Sequence, residues 1–439
     1  MKPVIDVHSH IFNAKDIPLK GYLLSRKAKE GLEKILGRVL IPWVAKCIRR
    51  KLEPKKNKMF LGGILCRLPL QLVYKLLGKQ YRHWVTTMMK EVDDITAEMI
   101  KTYENDEIDL YIPLMIDYEY WFKTSSDNPM KEQIDYIADK IIIPYGGKIH
   151  PFVPFDPTRE LAFRKGLEDP QGKQELYGSL NLVKDAIENR GFIGVKLYNS
   201  MGYKPFNNET VEKKRKKIAH HKKKYVFKGI EYDDVLSELY DYCIEKNVPI
   251  TAHCVMDGIE SYNKASWDFG RAKFWRDVLS QKQFEKLHLN LAHFGWSKKQ
   301  GYYGKKSWVR EICEMLQEFE HLYTDVSHHR VMTKKYHNRF QSDYIDICRD
   351  YPVIKKKLLF GIDWHVIKRE KNFKNFKTEY VKMLQQNNLF NDDEIIDFLG
   401  GNALRFLGLL PGDQNYNRLK RFYQNNKIQP PQWLSKNIG

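Results

Sequence analysis

The sequence predicts an α/β fold in which eight parallel strands close into a barrel ringed by helices, a (β/α)8 architecture. Short runs rich in Val, Ile, Leu and Tyr recur along the 439 residues, amphipathic helical segments lie between them, and the runs number eight, the closure number of such a barrel. The runs are Val4–Val7, Leu110–Ile116, Ile149–Phe155, Phe192–Tyr198, Val248–His253, Leu287–Phe294, Leu322–Val326 and Leu358–Asp363. Helical candidates between them are Ile95–Tyr103, Leu182–Asn189, Val235–Lys246, Phe274–Gln283 and Val309–Phe319, each with apolar residues three and four apart. A closing helix is expected over GNALRFLGL, followed by a polar tail containing Pro430 and Pro431. A barrel with insertions fills a chain of this length, so 1–439 is read as one domain.

One connection is too long for an ordinary loop. Residues 14–90, after the first strand, must fold as an insertion. Within it Leu32, Ile35, Leu36, Val39, Leu40, Trp43 and Cys47 follow helical spacing with basic residues interleaved. The apolar stretch Met59–Gly78 is broken by Arg67, Pro69, Gln71 and Lys75, which argues against a transmembrane span. Two readings stay open: a helical lid on the barrel, or a surface for an anionic membrane or a partner.

Charge points to the same segment. Lys plus Arg outnumber Asp plus Glu by 74 to 55, and between Lys20 and Lys90 there are 18 basic residues against three acids, so most of the excess sits there. Such a balance favours acidic partners. A second basic run, Lys213–Lys224, holds eight Lys and Arg and no acid; it either gathers anions at the barrel rim or is a solvated loop. The start, MKPVIDVHSH, lacks secretory features and suggests the cytoplasm, with peripheral contact at the inner membrane surface through 20–90 as a possible addition. Six cysteines without a CxxC pair signal neither a disulfide framework nor a thiolate zinc site. Without GxxxxGK[ST] or GxGxxG, no nucleotide cofactor is implied.

The chemistry is carried by polar residues at strand ends. His8 and His10 flank Ser9 at the end of the first run, and residues two apart on a strand point the same way, so both imidazoles can reach one metal. By itself an HxH pair is a weak signal. His253 ends the fifth run, His293 the sixth and Asp363 the eighth, at the rim where barrel enzymes place their catalytic side chains.

With IDVHSH, GVKLY, ITAHC, NLAHFG, FGIDW and GNALRFLGL in this order, the sequence resembles the amidohydrolase superfamily of TIM-barrel enzymes, in particular its second family of decarboxylases, lactonases and hydrolases. The resemblance implies that His8, His10, His253 and Asp363 hold one divalent metal, zinc most often and manganese as an alternative, with an open water position. It also implies that His293 steers or deprotonates that water, and that Asp363 can accept the proton. Three neutral imidazoles and one carboxylate leave net positive charge on such a site, which makes metal-bound hydroxide available near neutrality.

Lys196, in GVKLY, occupies a position where some superfamily members carry a carboxylated lysine bridging two metals. It is carboxylated in a two-metal site, binds an acidic substrate, or points aside; we favour one metal, with Lys196 on the substrate or behind the ligands. His328 and His329 either face the site or lie on a loop surface, and Trp364 and His365 are placed to shape the pocket. Arg271 and Trp267 are candidates to bind a carboxylate or stack on a ring.

The expected function is hydrolysis of an ester, lactone or amide of a small acidic substrate. A nonhydrolytic metal-dependent decarboxylase of an aromatic or unsaturated acid would use the same ligands. From another class, an anionic-membrane or nucleic-acid binding protein accounts for the basic segments alone, but no nucleic-acid reading module is visible.

Overall fold

The structure, a computed structural model, describes residues 2–19, 21, 82–122, 125–167, 177–215, 227–256, 258–262, 264–296 and 307–435. Eight parallel strands appear where the eight apolar runs lie: β1 Ile5–Ser9, β2 Leu110–Pro113, β3 Phe152–Pro154, β4 Gly194–Leu197, β5 Ile250–His253, β6 Leu289–Ala292, β7 Leu322–Asp325 and β8 Leu358–Leu359. β1 pairs with β2, and β3 to β8 pair in chain order. Backbone hydrogen bonds complete the ring. Tyr111 N–H donates to Lys148 O (2.9 Å) and His150 N–H to Tyr111 O (3.2 Å), joining β2 to β3. Val7 N–H donates to Phe360 O (3.0 Å) and Asp363 N–H to His8 O (2.6 Å), joining the end of β8 to β1. The fold is therefore a (β/α)8 TIM barrel.

Strands covered by helices outside and packed against one another inside are buried on both faces, which is why they read as nearly continuous apolar runs. β1 is buried at all five positions, with Ile5 and Val7 alternating with Asp6 and His8. Asp6 accepts from the His8 and Ile362 amides (3.1 and 2.9 Å) and from the Ser9 hydroxyl, so an inward carboxylate pins β1 to the chain leaving β8.

The helices follow their apolar spacing. The helix Gly229–Glu245 buries Tyr232, Val235, Leu236, Leu239, Tyr240 and Cys243. Trp308–Glu318 is capped by the Ser307 side chain, which accepts from the Arg310 amide. Pro157–Arg164 has Pro at its first position and Asp156 as its cap, accepting from the Arg159 amide.

Three expectations change. β8 is only two residues long, so Asp363 stands on the turn after the strand rather than ending it. The polar tail is in fact a structural element: the helix Gln414–Asn425 closes the N-terminal face of the barrel, with Asn415 donating to Ile193 O (2.9 Å) and Arg418 to Lys246 O (2.9 Å). Arg215, inside the basic run, is buried, bonded to Gly202 O and the Asn208 side chain and set 4.0 Å over the Tyr232 ring. Lys214 in the same turn pairs with Asp268, whereas residues 216–224 of the run, and residues 20 and 22–81 of the insertion, lie outside the described residues. Among the described residues no helix is long and apolar enough to cross a membrane.

The plug at the barrel bottom makes a prediction about acid stability. His150 is fully buried, its Nδ1 donating to Gly191 O (2.7 Å) and its Nε2 accepting from the Tyr423 hydroxyl (2.6 Å). Burial lowers its pKa from 6.5 to about 4. Between those values the unfolded chain binds the proton and the folded chain does not, so stability falls as pH drops below 6.5. From pH 7.5 to 5 the His150 share is about 2 kcal/mol, and His150→Gln should lose that much less than the parent in paired denaturation curves. An equal loss in both proteins would contradict the assignment.

Candidate metal centre

The rim residues arrive by strand alternation and by strained turns. Asp6, His8 and His10 share one side of β1 and its extension. His293, His328 and Asp363 all adopt left-handed backbone, with φ of 67°, 64° and 57°. That conformation costs a non-glycine residue about 1–2 kcal/mol, and its concentration at one rim is typical of a functional site. Gly361, in FGIDW, is needed for close approach: a Cβ there would lie 3.0 Å from the His8 Cβ.

His8, His10 and Asp363 come together, each offering a ligand atom within 4.8 Å of the other two. The His10 Nε2 is 3.7 Å from Asp363 Oδ1, and the His10 Nδ1 donates to Leu114 O (2.7 Å), which leaves Nε2 as the ligating nitrogen. His8 Nε2 and Asp363 Oδ1 are both buried without a hydrogen-bond partner. Separations of this order suit bonds of about 2.0–2.2 Å to a single divalent ion. Burial lowers the pKa of His8 and, more strongly, of His10 and His293, so all three are neutral imidazoles, the form a metal requires.

A second carboxylate, Asp325, also lies beside His8, and the two differ in one decisive respect. Asp325 accepts from His8 Nδ1 (3.1 Å), Asn290 Nδ2 (2.7 Å), the His293 and Ser327 amides (3.0 and 3.1 Å) and the Ser327 hydroxyl. Although burial works against ionisation, these donors hold the Asp325 carboxyl below the usual range. Asp363 has no such donors on Oδ1, and burial pushes its carboxyl up to about 8. Asp325 is saturated and Asp363 is bare, which makes Asp363 the carboxylate fitted to a cation.

His253 stands outside the trio. Its Nδ1 is 3.2 Å from His293 Nε2, its ring stacks on Tyr198 at 4.3 Å, and a Cβ on Gly258 would come within 2.9 Å of its Nε2. His293 lies between the two, 4.6 Å from the His8 ring and 4.9 Å from that of His253. Lys196 is buried nearby with its Nζ lacking a hydrogen-bond partner, 5.9 Å from the Tyr198 ring centre, and burial lowers its pKa to about 8.

The outlying candidates are placed as follows. His328 sits within reach of His293 and Asp363, with its Nε2 2.8 Å from Arg369. His329, for which a loop surface was one reading, is buried: its Nε2 donates to His293 O (3.1 Å) and its Nδ1 accepts from the Tyr380 hydroxyl (2.8 Å). Trp364 is fully buried with Lys368 over its ring, and His365 stacks on Phe12 at 4.7 Å. Arg271 lies over Trp267 (4.4 Å) and is ion-paired with Glu311 (2.8 Å). A cavity of about 270 Å³ opens between the loops after β1 and β2, lined by Phe12, Leu114, Met115, Tyr118, Lys15 and Glu132 among others; no site residue lines it, but Phe12 and Leu114 contact His10.

Sequence reasoning passed over Asp6, Asn290, Asp325 and Ser327. A signal existed: each of the first three is a polar residue inside an otherwise apolar strand run, which in a barrel means a side chain facing the interior.

Buried histidines and a bare carboxylate at the C-terminal rim of a closed barrel form a cluster that could hold a divalent ion. The family model described as amidohydrolase matches residues 179–409, and the chain belongs to that family. No curated relative matches the chain. Among solved structures, an amidohydrolase from Burkholderia multivorans with bound zinc is similar at 9% identity and TM-score 0.46, covering 92% of this chain and 99% of that one. Amidohydrolase 2 from Bifidobacterium longum subsp. infantis is 12% identical at TM-score 0.41, over 93% and 99% of the two chains. 5-Carboxyvanillate decarboxylase from Novosphingobium aromaticivorans with bound manganese is 10% identical at TM-score 0.48, over 92% and 97%.

Proposed function

We propose that the protein is a metal-dependent hydrolase acting on an ester, lactone or amide of a small acidic substrate, with one zinc ion held by His8, His10, Asp363 and, as fourth ligand, His253. The observation that carries this reading is the pair of buried, partnerless atoms His8 Nε2 and Asp363 Oδ1 beside His10 Nε2. Buried polar atoms without partners are rare in folded proteins, and a cation satisfies both at once. The single saturated-versus-bare contrast between Asp325 and Asp363 supports one ion rather than two.

When bound, such an ion activates a water nucleophile and polarises a carbonyl. His293 is the group that takes and returns the proton, at Nε2, with Asp363, grouped with it at the rim, as the second proton acceptor. Lys196 Nζ binds the anionic group of the substrate, which gives its buried amine the partner the protein does not supply. The cavity beside His10 receives the apolar remainder. The one shared hydrophobic core of the described residues supports reading 1–439 as a single domain.

The test is a panel of small acidic esters, lactones, amides and aromatic carboxylic acids, offered to zinc- or manganese-loaded protein in ¹⁸O-water. Metal-dependent ¹⁸O incorporation into a carboxylate product is the expected result. Release of CO₂ without ¹⁸O incorporation into an acyl product would replace hydrolysis by decarboxylation at the same ligands. His253→Ala should weaken zinc binding while His293→Ala retains it; the opposite order would make His293 the fourth ligand.

A further inference from the structure

We propose that Asp325 and Ser327 form one positioning hub that sets the ring orientation and the tautomer of two histidines at once, the metal ligand His8 and the proton-handling His293. The inference rests on the metal-site reading above and adds residues to it. An ionised carboxylate only accepts hydrogen bonds, so the five donors converging on Asp325 have fixed directions. His8 Nδ1 must therefore carry a proton, and its lone pair lies on Nε2, the buried atom without a partner.

Ser327 extends the same logic to the second ring. Its hydroxyl donates to Asp325, so toward the imidazoles it accepts, from His8 Nδ1 at 3.0 Å and from His293 Nδ1 at 2.8 Å. His293 is then protonated on Nδ1 and carries its lone pair on Nε2, 3.2 Å from His253 Nδ1. Asp325 also takes the His293 amide, which holds the left-handed turn on which that residue sits. Asn290, bonded to Asp325 and to the Thr251 hydroxyl (3.3 Å), fixes the carboxylate from the barrel interior. With its oxygens spent on these donors, Asp325 acts through the two rings.

The experiment uses the full chain and zinc alone as probe. Affinity is measured by competition with a chromophoric chelator, and cobalt(II) replaces zinc for visible spectra. Asp325→Asn should weaken zinc binding about 10- to 100-fold and shift the cobalt bands, and Ser327→Ala should shift them with a smaller loss of affinity. Ser327→Ala removes one buried hydroxyl and keeps Asp325, so it tests the hub if Asp325→Asn does not fold. Both variants binding zinc as the parent does, with unchanged cobalt spectra, would overturn the proposal. The metal-free protein provides a second, independent reading through ¹⁵N signals of the histidine rings. Parent spectra with His8 and His293 as Nδ1–H tautomers, and mixed tautomers in Asp325→Asn, would support the hub even if the parent bound no metal; identical tautomers in both would overturn it.

Discussion

Replacing His8 and His10 together by Ala is expected to abolish metal binding and turnover while leaving the barrel folded. Structural zinc sites bind with roughly 10–16 kcal/mol spread over four ligands, about 3 kcal/mol each, so losing two ligands weakens binding on the order of 10⁴-fold. The fold should survive because the β1 connections run through the backbone and through Asp6, not through the two imidazoles: Val7 N–H to Phe360 O, Asp363 N–H to His8 O, and Asp6 to the Ile362 amide. Circular dichroism and a melting curve establish the fold, and elemental analysis establishes the loss of metal. Retained metal and activity in the folded double variant would place the centre elsewhere.

Lys196→Met is expected to move stability and function in opposite directions. The Lys196 amine is buried on β4 with no hydrogen-bond partner, and a Met of similar length fills the space without that penalty. A buried donor left without a partner costs about 1–3 kcal/mol, so the metal-free variant should melt a few degrees above the parent. The same change removes the charge proposed to hold an acidic substrate. A charge-assisted hydrogen bond is worth about 1.5–3 kcal/mol, which predicts a fall in kcat/KM of roughly 10- to 100-fold on acidic substrates and little change on neutral analogues. A lower melting temperature with unchanged kcat/KM would make Lys196 a packing residue.

The barrel was legible because its strands are buried on both faces: β4 to β7 carry runs such as GVKL, ITAH and LNLA at the predicted places. The strand-end rule then put His8, His10 and Asp363 at one rim, and in the structure the three meet there, Asp363 from the turn beyond β8. Position along a strand did not determine ring direction, and His253, though it ends β5 as expected, lies against His293 and the Gly258 loop rather than within the trio. Backbone strain left no trace either, since His293 and Asp363 occupy left-handed turns without being glycine. Asp325 was hidden for a different reason: a carboxylate that serves other side chains has no motif of its own, only the oddity of a charge inside LYTD. The C-terminal helix escaped because its buried face, Leu419, Phe422 and Tyr423, is sparse among polar residues.

In the proposed site His8, His10 and Asp363 surround one divalent ion. The most direct test of that arrangement is the metal stoichiometry of purified full-length protein after zinc loading and removal of excess, read beside Asp363→Asn and the His8→Ala/His10→Ala double variant. About one equivalent is expected in the parent, a markedly weaker site in the first variant and none in the second. A parent that holds no zinc, manganese or cobalt, or variants that hold as much as the parent, would contradict the proposed site.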